Sequence, residues 1–225
     1  MSYRKFLAVL TLAAVVPALA SDLSDDVGRV QHADVVFQQV MKTPDQAIPQ
    51  EVLEGAQCIA IVPSEKTFAI GFGGTYGKGI ATCRNRGAWS APMFIEVGGG
   101  SWGLQLGGQS TDVIMIFRSR DGMDSLLRDK VKLGGSASAA AGPVGRHATA
   151  DTDLAMQAEI LGYSRSRGAF AGISLNGDVV QPDDSGNTAM YGSHPWKEIL
   201  AGNVAAPSST RPLLRTLNRY SAVSH

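Results

Sequence analysis

The spacing of hydrophobic and polar positions changes along this 225-residue chain. Apolar residues recur at helical spacing from residue 24 to about residue 43, which predicts an amphipathic N-terminal helix. From residue 57 onward, short apolar runs are separated by glycine, which predicts strands joined by tight turns. Helical spacing returns at the end of the chain and predicts helices at residues 193–201 and 209–220.

The middle of the chain predicts a series of strands and one short helix. The first strands are predicted at residues 57–62, 67–73, 78–84, 89–96, 101–108 and 111–118. A helix at 122–129 and a half-buried strand at 154–160 follow. Residues 168–175 and 178–181 flank Asn176-Gly177, a pair that favours a two-residue hairpin turn.

Glycines within these strands indicate bulges, bends and close approaches of the backbone. They are densest between residues 71 and 108. The sequence therefore predicts an α+β fold in which a strongly curved, partly barrel-like antiparallel sheet is flanked by N- and C-terminal helices.

The first 20 residues have the features of a secretory signal peptide. Arg4 and Lys5 precede an apolar run, and Ala18-Leu19-Ala20 has the small-x-small pattern of a cleavage site. We expect cleavage near Ala20 and a single domain over residues 21–225, located in the periplasm or outside the cell. That compartment permits a disulfide between Cys58 and Cys83, the only two cysteines; the alternative is two buried free thiols.

Neither the overall charge nor the motifs indicate catalysis or nucleic-acid binding. The formal net charge is zero, and the glycine-rich residues 71–78 fit neither the dinucleotide fingerprint nor the phosphate loop. The carboxylate pairs Asp151/Asp153 and Asp183/Asp184 lack a calcium-loop framework and are interpreted as solvated turn residues. We therefore predict a protein that is not an enzyme and that has no cofactor, no metal site and no nucleic-acid partner.

Two arrangements of arginine are more informative. Pairs at strand spacing end three predicted strands, and they are Arg84/Arg86, Arg118/Arg120 and Arg165/Arg167. If these strand ends meet, their guanidinium groups form a surface suited to phosphate headgroups; otherwise they are ordinary charged loop ends around the rim.

The second arrangement lies in the last predicted helix. Arg211, Arg215 and Arg219 recur every four residues, opposite Leu213 and Leu217. A basic amphipathic helix of this kind lies in a membrane interface with its arginines on anionic lipid. The alternative is a helix that packs its apolar face on the core.

Several blocks of the sequence resemble the signature blocks of the SYLF domain, in that family's order. They lie at residues 48–49, 56–63, 89–92, 103–109, 140–146 and 163–172, within a likeness that covers roughly residues 27–202. The resemblance implies a non-catalytic lipid-binding module. Eukaryotic members bind phosphoinositides, those of the yeast actin-patch branch also bind actin filaments, and many bacterial members carry secretion signals.

For a secreted member, the resemblance implies a narrower set of partners. Secretion separates the protein from cytosolic actin and from inositol lipids, so we do not expect actin as a partner. The remaining expectation is peripheral binding to anionic phospholipid through a basic surface. The alternative is a protein–protein interaction or structural scaffold module of the cell envelope.

Overall fold

A computed structural model describes residues 17–42, 47–70, 72–101, 107–129, 139–145, 158–166, 169–173 and 178–222. The helices in this part of the chain are α1 (Pro17–Met41), α2 (Gln50–Glu54), α3 (Arg120–Asp129), α4 (Asp184–Tyr191), α5 (Trp196–Leu200) and α6 (Arg211–Tyr220), with a 3₁₀ turn at Ser208–Thr210. The strands are β1 (Cys58–Ile70), β2 (Phe72–Asn85), β3 (Ala88–Trp89), β4 (Met93–Ser101), β5 (Gly107–Phe117), β6 (Ala139–Ala141), β7 (Ile160–Ser166), β8 (Ala169–Gly172) and β9 (Asp178–Pro182).

These strands form one sheet in the order β6-β7-β5-β1-β2-β4-β9. The short strand β8 continues the outer edge of β7 beyond β6, and β3 pairs with the last residues of β2 beyond β4. The parallel pair in the described sheet is β6 with β7; the other pairs are antiparallel. The predicted α+β class and the curved antiparallel sheet between N- and C-terminal helices are confirmed.

The sheet is curled into an open half-barrel, and the chain connectivity explains why. Strands β8 and β9 lie at opposite edges, six strand spacings apart, which is about 29 Å in a flat sheet. The chain from Gly172 to Asp178 spans at most about 21 Å. The two edges therefore have to curve toward each other. Helix α3, which follows β5, also packs against β9.

One end of the sheet is covered on both faces. Consecutive residues are buried there, from Cys58 to Val62 in β1 and from Val113 to Phe117 in β5. Helix α1 packs on β1 and β2, and α6 packs on α1. Burial on both faces explains why these strands read as continuous apolar runs instead of alternating patterns.

Strand β1 is continuous through a segment where the sequence predicts a break. Its pairing shifts register after Val62 against β5 and after Ile61 against β2. Within this bulge Ser64 has a φ of 56°, and its backbone N–H donates to the Asp112 carboxylate at 3.0 Å. The bulge accommodates Pro63 in one long strand, where we had expected two strands at 57–62 and 67–73.

The merging of these two strands places Cys58 directly opposite Cys83 in the β1–β2 register. Their sulfur atoms are bonded at 2.02 Å, and both residues are fully buried. The predicted disulfide is confirmed.

Two further sequence expectations are wrong. Residues 168–175 and 178–181 do not form a hairpin, because β8 pairs with β7 and β9 pairs with β4. Asp183 and Asp184 are not a solvated turn either. Asp183 is 2% exposed and caps α4, which begins at Asp184.

Several sequence predictions concern residues that the structure does not describe. Asn176-Gly177, Asp151, Asp153 and Arg167 lie outside the described residues, as do 154–157 of a predicted strand. Of the predicted signal peptide, residues 1–16 lie outside them as well, and α1 begins at Pro17. No helix in the described part of the chain is both long enough and apolar enough to cross a membrane.

Candidate functional site

Arg84, near the end of β2, is turned into the protein. Its guanidinium donates to the backbone carbonyls of Ala56 at 2.9 Å, Leu53 at 3.0 Å and Ser221 at 2.5 Å. It also lies 4.8 Å from the centre of the Trp89 ring. Arg84 thus ties the helical segment before β1 and the end of α6 to the sheet, and its Nε and Nη2 groups are engaged within the protein.

Arg120 is engaged in a similar way at the start of α3. One guanidinium nitrogen donates to the Asn85 side-chain oxygen at 2.5 Å, and the other donates to the Leu200 carbonyl at 3.0 Å. Asn85 donates to the same carbonyl at 2.7 Å. Together these contacts hold α5 against the β2–β3 turn.

Arg165 lies on β7, away from the end of the sheet that holds Arg84 and Arg120. It pairs in register with Asp112, five positions along the strand from the Ile160–Phe117 pair, which is about 16 Å. Its guanidinium donates to the Asp112 carboxylate at 2.9 Å and 3.0 Å, and also to Gln39 of α1. The three strand ends therefore do not meet, and a shared headgroup surface is not assembled from them.

Two members of the strand pairs are exposed. Arg86 lies in the turn between β2 and β3 with a φ of 51°, and Arg118 follows the last residue of β5. Both are at the end of the sheet, but their neighbours two residues away, Arg84 and Arg120, are bound within the protein. The arrangement of these pairs therefore agrees better with the alternative, charged loop ends around the rim, than with a forked-donor surface.

Helix α6 presents three arginines to solvent. Arg211, Arg215 and Arg219 are exposed, while Leu213 and Leu217 on the opposite face are fully buried. The helix contains no acidic residue, and none of the three guanidinium groups has a hydrogen bond or an ion pair with another described residue. At 1.5 Å per residue, the three positions extend over about 12 Å of surface.

The packing of α6 determines how this arginine face can act. Ser221, just after the helix, accepts from the Trp89 indole N–H at 3.1 Å, and the ring of Tyr220 meets that of Phe37 at a centroid distance of 6.1 Å. Gln38 of α1 donates to the Thr216 hydroxyl at 3.4 Å. The apolar face is thus packed on the core, as the alternative interpretation predicts, while the arginines face outward.

A charged network that the sequence reading missed lies at the start of α4. One Asp183 oxygen accepts from Arg29 and from Lys78, both at 2.9 Å, and the other accepts from the Ser185 hydroxyl and the Gly186 N–H. Burial alone raises the pKa of the Asp183 carboxyl, but these hydrogen bonds outweigh it and hold the pKa well below its usual range. The network joins α1, β2 and α4 and leaves Asp183 closed to solvent.

Comparison with known proteins connects this geometry to a family. The model of the Ysc84 family, described as Las17-binding protein actin regulator, matches residues 98–220. The chain belongs to the Ysc84 family. This finding confirms the resemblance to the SYLF domain.

Relatives in two yeasts and a vertebrate are similar to more than three quarters of this Ysc84-family chain. An SH3 domain-containing protein of Schizosaccharomyces pombe is 36% identical over 178 residues, which is 77% of this chain and 41% of that protein. LAS seventeen-binding protein 3 of Saccharomyces cerevisiae is 35% identical over 178 residues, 77% of this chain and 39% of its own. SH3 domain-containing YSC84-like protein 1 of Xenopus laevis is 31% identical over 182 residues, which is 79% of this chain and 54% of that protein. The chain therefore spans only about half, or less, of these relatives.

The Ysc84 match begins in β4 and ends at Tyr220, the last residue of α6. The arginine face is therefore within the matched segment. The family is described by the binding and regulation of other proteins and not by a reaction. Within the described residues, no group of three or more His, Cys, Asp or Glu side chains is arranged to hold a metal ion.

Proposed function

We propose that this protein is a non-enzymatic protein of the cell envelope that docks peripherally on anionic phospholipid through the arginine face of α6. The observation that carries the proposal is the exposure of Arg211, Arg215 and Arg219 on a helix without acidic residues. Guanidinium groups bind phosphate with forked hydrogen bonds, and a basic helix gains about 1 kcal/mol per arginine near an anionic surface. The signal-peptide pattern supports an envelope location.

The docking is electrostatic and does not require insertion. Leu213 and Leu217 are already buried in the core, so α6 has no free apolar face to place among acyl chains. Binding should therefore weaken steeply with ionic strength and should not occur on uncharged bilayers.

Co-sedimentation with liposomes tests this proposal. We expect the protein to pellet with vesicles of phosphatidylglycerol and phosphatidylcholine at low salt, and to stay in the supernatant with phosphatidylcholine alone. The double variant Arg215→Gln/Arg219→Gln should bind the anionic vesicles more weakly, by about fivefold for each arginine removed.

A second double variant with the same loss of charge serves as the matched control. Lys42→Gln/Lys197→Gln removes two exposed cations elsewhere and should bind nearly as well as the wild type. Equal losses in both double variants would mean that net charge matters and the α6 surface does not. Failure of the wild type to bind anionic vesicles at low salt would end the proposal.

The names of the relatives favour a second candidate, a protein-interaction module. The family description and LAS seventeen-binding protein 3 both refer to a protein partner. This chain would then use an exposed face to bind a protein of its own compartment, and actin would not be expected after secretion.

A discriminating test has to use exposed residues. Replacing Arg165 is unsuitable, because its contacts with Asp112 and Gln39 hold β7, β5 and α1 together. The α6 double variant is suitable instead. The interaction module would be favoured if the wild type captures a stoichiometric protein partner and the variant, which no longer binds lipid, still captures it.

A further inference from the structure

A second exposed surface lies on the sheet, on the face formed by β2, β4 and β9. Tyr76 is 47% exposed there, one of the most exposed large side chains with apolar surface in the described residues. Lys78 is paired in register with Glu96, and Glu96 is paired with Gln181 on the next strand. Since residues two apart on a strand share a face, Tyr76 lies beside this polar row.

The polar row is held in place by its own hydrogen bonds. One Glu96 oxygen accepts from Lys78 at 3.1 Å and from the Tyr76 hydroxyl at 3.4 Å, and the other accepts from Gln181 at 3.2 Å. Lys78 is anchored further by the buried carboxylate of Asp183 at 2.9 Å. The donors and acceptors are therefore oriented before any ligand arrives.

Space remains beside the Tyr76 ring. Its direct partner on β4 is Gly98, which has no side chain to cover the ring. A Cβ atom at Gly98 would have one neighbour within 4 Å, the Thr75 carbonyl oxygen at 3.7 Å. The sequence thus leaves one side of an aromatic ring open next to fixed polar groups.

The described cations of this surface are already paired, which argues against an anionic ligand. Lys78 is paired with Glu96 and Asp183, and Arg29 is paired with Asp183 and Asp26, through contacts of 2.9 to 3.1 Å. An anionic lipid headgroup would have to break these pairs. A neutral sugar would not, because its hydroxyls donate to a carboxylate and accept from an amide or ammonium group.

We propose that Tyr76, Lys78, Glu96 and Gln181 form a binding face for a neutral polysaccharide. The face of a pyranose ring carries C–H groups that stack on an aromatic side chain, and its rim carries hydroxyls that reach the polar row. Tyr76 is eight residues from Arg84 along β2, about 26 Å, and Arg84 contacts the end of α6. The sugar face and the arginine face are therefore separate.

Affinity electrophoresis in native gels containing neutral polysaccharides tests this inference. The probes are soluble glucan, mannan and galactomannan, which are uncharged and therefore do not engage the arginine face of α6. We expect at least one of these neutral polysaccharides to retard the wild type. Tyr76→Ala should weaken that binding by about tenfold, while Tyr76→Phe, which keeps the ring, should retain most of it.

Val35→Ala is the matched control, because Val35 is 48% exposed on α1, away from the sheet face. It should migrate like the wild type with every probe. Retardation of the wild type by none of the neutral polysaccharides, or equal retardation of the wild type and Tyr76→Ala, would overturn the inference. Either result leaves liposome binding by α6 unaffected, so the two proposals fail separately.

Discussion

Arg84 and Arg215 carry the same side chain and have opposite surroundings. Arg84 donates to three backbone carbonyls and lies against the Trp89 ring, while Arg215 faces solvent and contacts no described partner through its guanidinium. The first joins parts of the chain that are far apart in sequence. The difference shows that an arginine's position in the sequence says little about its availability until the elements that cover it are known.

The largest loss of stability is expected from a substitution at Arg84. Arg84→Gln should lower the free energy of unfolding by about 3 kcal/mol, because up to three carbonyl oxygens lose charged donors. Urea denaturation followed by circular dichroism measures the loss. A loss below about 1 kcal/mol would show that water satisfies these carbonyls equally well.

The Asp183 network, like Arg84, should stabilise the fold, and its contribution should depend on pH. Asp183→Asn keeps an acceptor for Gly186 but removes the negative charge between Arg29 and Lys78, so we expect a loss of about 2 kcal/mol at neutral pH. Since folding lowers the pKa of this carboxyl, its stabilisation is complete above the unfolded pKa of about 4 and is lost as the pH falls toward the folded value. The gap between wild type and variant should therefore be constant from neutral pH to about pH 5 and narrow below pH 4. A constant gap down to pH 2 would contradict this assignment.

The smallest effect on stability is expected at Arg215. Arg215→Gln makes the same chemical change as Arg84→Gln, yet it should alter the free energy of unfolding by no more than about 0.5 kcal/mol. Its effect should appear on anionic liposomes instead, as about fivefold weaker binding. If Arg215→Gln proved as destabilising as Arg84→Gln, the contrast between the two arginines would disappear.

Local patterns predicted the elements of this fold well where each one depends on its own residues. The helices at α3 and α6 and the Gly-rich curved sheet follow from apolar spacing and glycine placement. The disulfide was expected because the chain has only two cysteines and the predicted compartment permits one, whereas their facing positions depend on the merged strand β1. Helix α4 was missed because Gly186, Asn187 and Thr188 are weak helix formers, although Asp183 followed by Gly186 is consistent with an N-cap.

The predictions that were wrong concern features that depend on contacts between residues far apart in sequence. Asn176-Gly177 favours a local hairpin, but β8 and β9 each gain a different partner strand and lie at opposite edges of the open half-barrel. The spacing of Arg118 and Arg120 likewise predicts a shared direction, and it contains no information about α5, whose Leu200 carbonyl engages Arg120. Sequence spacing assigns a side chain to a face; only the packing of other elements decides whether that face is free.

The Cys58–Cys83 bridge has a consequence for how the protein acquires its native state. Both residues are completely enclosed, so an oxidase or a small oxidant cannot reach their thiols once β1, β2 and the covering helices are in place. Oxidation therefore has to precede or accompany the pairing of β1 with β2 and the packing of the covering helices. Protein made in a reducing cytosol would close over two thiols, and later exposure to air would leave them largely unlinked.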